Sequence, residues 1–190
     1  MTLGLKDLYY AIITEESGVE TYGNPKKMSE AMTAELSVTT ADAKLYADDA
    51  LSENVSEFAS CTLSLGIKDL SNEVLEDLLG QEVDEDGVLY AGETDEPPYV
   101  AVGFRAKKMN GKYRYIWLQR GKFKIPNESF ATKGESVEFK TPTIEGTFSK
   151  SKATGKWKAD YTGLPTDKVA SAWFTKVKTY TKVAGNIPEE

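Results

Sequence analysis

Carboxylates are the first residues that could do chemistry. Asp48-Asp49, Asp84-Glu85-Asp86 and Asp95-Glu96 are adjacent acids, and a glycosidase needs only two carboxylates flanking the scissile bond. All three groups sit beside Gly, Ala or Pro in expected loops, where acids are ordinarily just solvated. The run Asp84-Glu85-Asp86-Gly87 hints at a calcium loop but lacks the spaced oxygen ligands and closing Glu of an EF-hand. Cys61 is the only cysteine, and it falls on the expected inward face of a strand, where a thiol packs rather than reacts. The chain has no histidine. That removes Ser-His-Asp and Cys-His nucleophilic machinery, along with the commonest metal ligand. GFRAKKMNGK has neither the spacing nor the following helix of a phosphate loop. The residues therefore point away from an enzyme, and they imply no metal or cofactor.

Charge segregation carries more information. Residues 107–124, KKMNGKYRYIWLQRGKFK, hold seven Lys or Arg and no acid, whereas residues 69–96 hold eleven acids and no Lys or Arg. Three readings compete. The two runs could be solvated faces of one monomer, salt-bridged within the chain. The basic stretch could grip single-stranded nucleic acid, with Tyr113, Tyr115 and Trp117 stacking bases. Or unlike patches on neighbouring copies could meet head to tail, a contact that generates rings or fibres. The same rings that stack bases also anchor protein interfaces. A net charge of −7 disfavours a general nucleic-acid or anionic-membrane binder.

The elements that would position these residues are mostly strands. With 190 residues and 40% apolar content, one domain with a sizeable core is expected over residues 1–180, followed by a frayed tail at 181–190. Leu5–Thr14 reads as a strand, ESGVETYGNP as a turn region, and Ala31–Thr40 as a second strand that Ala41–Ala47 leads out of. Val55–Ile67 alternates, with Ala59, Cys61, Leu63 and Leu65 on one face. Ser71–Leu79 is the clearest helix, capped by Ser71 and Gly80, with Val74, Leu75, Leu78 and Leu79 as its buried stripe. Glu82–Pro98 reads as an acidic loop. Tyr99–Met109 and Lys112–Lys124 read as the arms of a hairpin, with Asn110-Gly111 as a type I′ turn. Val100, Val102, Phe104 and Ala106 line one face of the first arm, and Tyr113, Tyr115 and Trp117 one face of the second. Ser136–Lys140, Thr143–Ser149 and Trp157–Tyr161 are further strand candidates, and Asp167 to about Val177 a second helix with Val169, Ala172, Trp173 and Lys176 on one side. The apolar run Tyr9–Ile13 is far too short to span a bilayer, so no membrane insertion is expected.

Several stretches taken in order resemble the major tail proteins, or tail-tube proteins, of long non-contractile-tailed phages of Gram-positive bacteria. They are GLKDLYYAIIT with ETYGNPKKM, LYADD at 45–49, EFASCTLSLGIKDLSNEVLEDLLG at 57–80, VAVGFRAKKMNGKYRYIWLQRGKF at 100–123 and ATKGESVEFKTPTIEG at 131–146. The resemblance runs from about Leu3 to Trp173 and weakens after Ser149. It implies a mainly β fold with minor α, a β-sandwich or barrel with a flanking helix and a projecting β-hairpin. It also implies a structural virion protein, made in the host cytoplasm, whose rings of six stack into the tail tube. Partners would be further copies, the tape-measure, tail-terminator and distal tail proteins, and DNA in passage.

Six copies at −7 would carry roughly −42 per ring, and acids lining the bore would let phosphates slide rather than stick. On this reading Lys107, Lys108, Asn110, Gly111, Lys112, Tyr113, Arg114, Tyr115 and Trp117 form an assembly interface. Asp48, Asp49, Glu82, Asp84, Glu85 and Asp86 form an acidic lumen or partner patch.

Overall fold

The computed structural model describes residues 2–47, 50–127 and 141–181, with side chains over 4–42, 56–127 and 141–181. Its elements are β1 (Thr2–Glu16), β2 (Val19–Tyr22), β3 (Lys26–Ser29), β4 (Ala31–Ala47), β5 (Ala50–Ile67), α1 (Asn72–Leu79), β6 (Glu82–Val83), β7 (Leu89–Tyr90), β8 (Tyr99–Lys108), β9 (Tyr113–Phe123), β10 (Thr143–Ser149), β11 (Lys158–Gly163) and α2 (Lys168–Ser171). The protein is mainly β with minor α, as expected. Nine strands belong to one antiparallel sheet, ordered β2-β1-β8-β9-β10-β5-β4. In it β3 also pairs β1 and β11 also pairs β9, while β6 and β7 form a separate two-stranded hairpin.

This single sheet is curled. Leu8 and Tyr10 of β1 pack in the same cluster as Cys61, Leu63 and Leu65 of β5, although β8, β9 and β10 separate those strands. In a flat sheet that separation would be about 19 Å. Helix α1 supplies Val74, Leu78 and Leu79 to the same core. Its ends follow the sequence expectation: Ser71 Oγ accepts from Val74 N–H at 3.4 Å, and Gly80 leaves in the left-handed region at φ 69. Asp77 ties the helix to the sheet, accepting from Tyr10 Oη at 2.5 Å and Lys26 Nζ at 2.6 Å. Burial and the adjacent Asp77 carboxylate raise the Tyr10 pKa.

Several expectations need correction. The β8–β9 hairpin does not project. β1 flanks β8 from Thr2↔Lys108 to Ile13↔Tyr99, and β11 flanks β9 from Gly163↔Tyr113 to Lys158↔Leu118, so its edges are hydrogen-bonded within the chain almost to the tip. Its turn is not type I′ either. Met109, Asn110 and Gly111 make a three-residue loop, in which Lys108 N–H donates to Lys112 O at 2.8 Å and Gly111 N–H to Lys108 O at 3.2 Å. Only Gly111, at φ 77, is left-handed, the pattern of a type I turn with a Gly bulge.

The turn with two positive φ values lies elsewhere. Within ESGVETYGNP, Ser17 (φ 52) and Gly18 (φ 81) join β1 to β2 with Glu16 paired to Val19, so the expected turn region holds a strand. The second helix is also shorter than expected, ending at Ser171, and Asp167 Oδ2 accepts from Leu164 N–H at 2.8 Å and Tyr161 Oη at 2.9 Å rather than capping it. Ala170, Trp173 and Val177 are the buried residues there, and Val169 is exposed.

The β5 alternation holds at Cys61, Leu63 and Leu65. Ala59, however, is exposed, because the register with β4 shifts between Thr39↔Ser60 and Thr40↔Phe58 and leaves Ala59 unpaired as a bulge. Burial pushes the Cys61 thiol up to about 11, which fits a packing role. The expected strand at Ser136–Lys140 lies outside the described residues.

Candidate assembly interface

β9 is buried on both faces. Ile116 and Leu118 enter the curled core, while Tyr115 and Trp117 enter a second cluster with Ala11, Ala101, Ala170 and Trp173. Successive strand residues point to opposite sides, and the chain after β11 returns to cover the outer side. Trp117 Nε1 donates to Trp173 O at 2.9 Å, and Gln119 Nε2 to Lys178 O at 2.9 Å. Tyr115 is 1% exposed and Trp117 0%. Both therefore leave the expected interface and offer no stacking platform, and Tyr113 is half-buried against the same cluster.

The basic arms are largely neutralised within the chain. Arg105 pairs with Asp7, and Arg114 with Asp160 through Nε at 3.0 Å and Nη2 at 2.5 Å. Arg120 pairs with Glu20 and Glu15, Lys122 with Glu96 at 3.5 Å, and Lys124 with Glu145 at 3.5 Å. Most partners are not the acids of 69–96. Asp7, Glu15 and Glu20 come from the first hairpin, and Glu145 and Asp160 from the last strands. Among the described residues Lys107, Lys108 and Lys112 make no ion pair, and they surround the exposed Met109, Asn110 and Gly111. Of the predicted basic interface only this tip remains free at the surface.

The acidic candidates separate in the same way. Asp48 and Asp49 lie outside the described residues. Glu82, Glu85 and Asp86 are exposed on and beside the β6–β7 hairpin. Asp84 shapes that hairpin: its Oδ1 accepts from Val88 N–H at 2.8 Å and Asp86 N–H at 3.0 Å. These backbone donors, Val88 first, hold the Asp84 carboxyl below the usual range. Among the described residues no cluster of three or more Cys, Asp or Glu is placed to hold a metal ion.

Two features escape the sequence reading. The first is a buried charge network around Glu20, whose carboxylate accepts from Arg120, from Ser151 Oγ at 2.6 Å and from Lys152 N–H at 3.2 Å. Burial pushes the Glu20 pKa up, but the donors from Ser151, the Lys152 amide and Arg120 outweigh it and leave the group below its ordinary value. An inward charge also blunts the edge strand β2. The only sequence signal is inverted alternation in Val19-Glu20-Thr21-Tyr22: Val19 is 62% exposed and Glu20 8%.

The second is the true protrusion. The β4–β5 ladder runs from Ala31↔Ile67 to Ala47↔Ala50, whereas β10 covers β5 only from Cys61 to Gly66. Beyond Thr40↔Phe58 the two strands pair, among the described residues, only with each other, a ribbon about 26 Å long. Ala41, Ala43, Leu45 and Ala47 alternate with Asp42, Lys44 and Tyr46, so the extension is readable as period-2 patterning. On the body, the outer edge of β4 exposes Met32 and Val38.

Fold and surface together define a mainly β protein whose central hairpin is flanked on both edges and whose ribbon, among the described residues, pairs only with itself. No protein-family model and no curated protein matches the chain.

Proposed function

We propose that the chain is a structural, self-assembling protein of the tail-tube kind and not an enzyme. Its copies join into rings that stack around a conduit for phage DNA, with tape-measure, terminator and distal tail proteins as partners. One observation carries this reading: the β4–β5 ribbon extends past every other strand of the described residues. A two-stranded hairpin is marginal in water by itself, and its open edges are a template for pairing with another chain. A monomer gains little from such an arm, whereas an assembly gains a tie. The cationic tip at Lys107, Lys108 and Lys112, the exposed acids Glu82, Glu85 and Asp86, and the apolar edge at Met32 and Val38 supply further complementary contacts between copies.

Joining Ala41 to Glu57 through an Asn-Gly turn deletes the ribbon and leaves Cys61, Leu63 and Leu65 in place. The shortened chain is expected to fold as a monomer with the unfolding midpoint of the full chain. It should form no rings or hollow filaments under negative stain where the full-length protein, concentrated or supplied with its tail partners, forms them. Assembly undiminished by the deletion would refute the reading.

Charge reversal at the tip is the companion test. Lys107→Glu with Lys108→Glu and Lys112→Glu should raise the concentration needed for assembly by about tenfold or more without changing the fold, since rim charges act on association rather than on the core. Arg114 is left intact because its charge is needed by Asp160. Sedimentation of the triple variant beside the parent reads the difference, and identical assembly would remove the tip from the interface.

A further inference from the structure

The two most exposed large apolar side chains among the described residues are Ile125, at 71%, and Met109, at 66%. They stand at opposite ends of β9, an eleven-residue strand about 36 Å long. Met109 belongs to the loop that enters the strand, and Ile125 follows its last residue by two.

Their surroundings carry opposite charge. Met109 sits among Lys107, Lys108 and Lys112, which make no ion pair among the described residues. Ile125 is one wall of an apolar cleft of about 400 Å³, lined also by Leu75, Leu79, Leu89, Ala91 and Pro126. Glu76 and Glu82 follow the lining residues Leu75 and Gln81 in the chain, and Glu85 and Asp86 lie in the turn of the β6–β7 hairpin that supplies Leu89. All four acids are exposed and without an ion pair among the described residues. The cations nearest in sequence are occupied, Lys122 by Glu96 and Lys124 by Glu145, each at 3.5 Å. Single apolar residues on a surface are ordinary. A knob framed by one sign of charge and a cleft framed by the other have the apolar centre and complementary polar rim of a protein interface.

β9 holds the knob and the cleft of one chain apart, so whatever joins them is a second molecule. We infer that Met109 of one copy seats in the Leu75–Leu89–Ile125 cleft of the next, with Lys107, Lys108 and Lys112 facing Glu76, Glu82, Glu85 and Asp86. The unbranched thioether of Met adapts to an irregular groove. Because unlike ends meet, the contact is heterologous and repeats along the direction of β9 instead of closing into a pair. Each contact is small and gains strength by repetition within an assembly. The inference rests on the reading that copies assemble, and it adds which surfaces meet and in which direction copies repeat.

Two single exchanges at exposed positions test it: Met109→Cys in one population of full chains and Ile125→Cys in another. The native Cys61 is buried and stays out of the reaction. With a short bismaleimide, at the concentrations used for assembly, the mixture should give at least about tenfold more covalent dimer than either population alone. Chains bearing both exchanges should give a ladder of oligomers, since the two sites of one chain are too far apart to be joined. Met109→Ala should raise the concentration needed for assembly about tenfold. The defect of Lys107→Glu with Lys108→Glu and Lys112→Glu should be repaired to within about threefold by adding Glu82→Lys, Glu85→Lys and Asp86→Lys, a recovery that independent solvated patches would not give. Rings or filaments that yield no covalent dimer would overturn this contact and leave the tube reading standing. A ladder without rings or filaments would keep the contact and sink that reading, and the absence of both would refute both. Dimer from Met109→Cys chains alone, as abundant as from the mixture, would also overturn the pairing of unlike ends.

Discussion

Replacing Arg120 with leucine is expected to lower the unfolding free energy by about 3–5 kcal/mol, measured as a fall in the urea midpoint at constant slope. The Glu20 side chain has no solvent exposure and that of Arg120 only 4%. Removing the guanidinium leaves a carboxylate in the interior with only neutral donors, Ser151 Oγ and the Lys152 and Ala153 amides. Arg120 also lies over the Tyr99 ring at 3.6 Å and reaches Glu15, which in turn holds Lys152 Nζ at 2.6 Å. One side chain on β9 thereby fixes the β1–β2 hairpin and the loop after β10.

Glu20→Gln should cost less, because an amide keeps the shape without the buried charge. The double variant Arg120→Leu with Glu20→Leu should recover much of the single loss, since an apolar pair of similar volume is often tolerated where a lone charge is not. A loss under about 1 kcal/mol in Arg120→Leu would mean that Glu20 reaches water, and the buried-network account would fail.

The same network fixes the sign of an acid response. The folded pKa values of Glu15 and Glu20 lie below the ordinary 4.5. Their contribution is complete above that value and is lost as pH falls through the depressed values of the folded state. Glu20→Gln should accordingly flatten the dependence of stability on pH below about 4.5.

What could be read without coordinates divides by sequence distance. Every signal for α1 lies between Ser71 and Gly80; cap and exit form as expected, and so does the stripe at Val74, Leu78 and Leu79, with Leu75 half-buried at its margin. The β8 and β9 arms are likewise local, and their apolar faces were assignable. Whether the opposite face meets water was not, because alternation reports period and not cover. Trp173 returns across 56 residues to shelter Trp117, and nothing near Trp117 announces it. Asn110-Gly111 favours a two-residue turn, but pairing of Lys108 with Lys112 makes the loop one residue longer, and register is set by the whole ladder rather than by the dipeptide. The basic run shows the same limit. Arg105, Arg114 and Arg120 are single-sign in sequence and find their acids 46 to 105 residues away. Short-range charge counting therefore sees a ribbon where the fold makes ion pairs. Only Lys107, Lys108 and Lys112, gathered about the exposed loop at the hairpin's end, keep the character that the sequence suggested.

The second large effect concerns that shelter. Trp117→Ala is expected to cost about 3–5 kcal/mol, the range for emptying a fully buried aromatic site. Trp117 is 0% exposed, and its ring covers Gly103, its partner in the β8–β9 ladder, so closely that a Cβ there would stand 2.7 Å from the indole. The glycine exists to admit the ring, and neither alanine at 117 nor the glycine opposite can fill what is left. The loss also severs the Nε1 donation to Trp173 O. That bond, with the Gln119 donation to Lys178 O, anchors the segment after α2 on β9.

The segment should therefore loosen before the sheet does. Limited proteolysis under native conditions is expected to cut between residues 173 and 181 in Trp117→Ala at least about tenfold faster than in the parent, because local opening sets the cleavage rate. Trp117→Phe keeps one aromatic ring in the site and removes the donor. It should lose about 1–3 kcal/mol, the cost of a buried carbonyl left without its partner. A Phe variant as stable as the parent would assign the anchoring to ring packing alone. An Ala variant whose C-terminal segment resists protease like the parent's would show that the cover stands without Trp117, and the second core would lose its keystone.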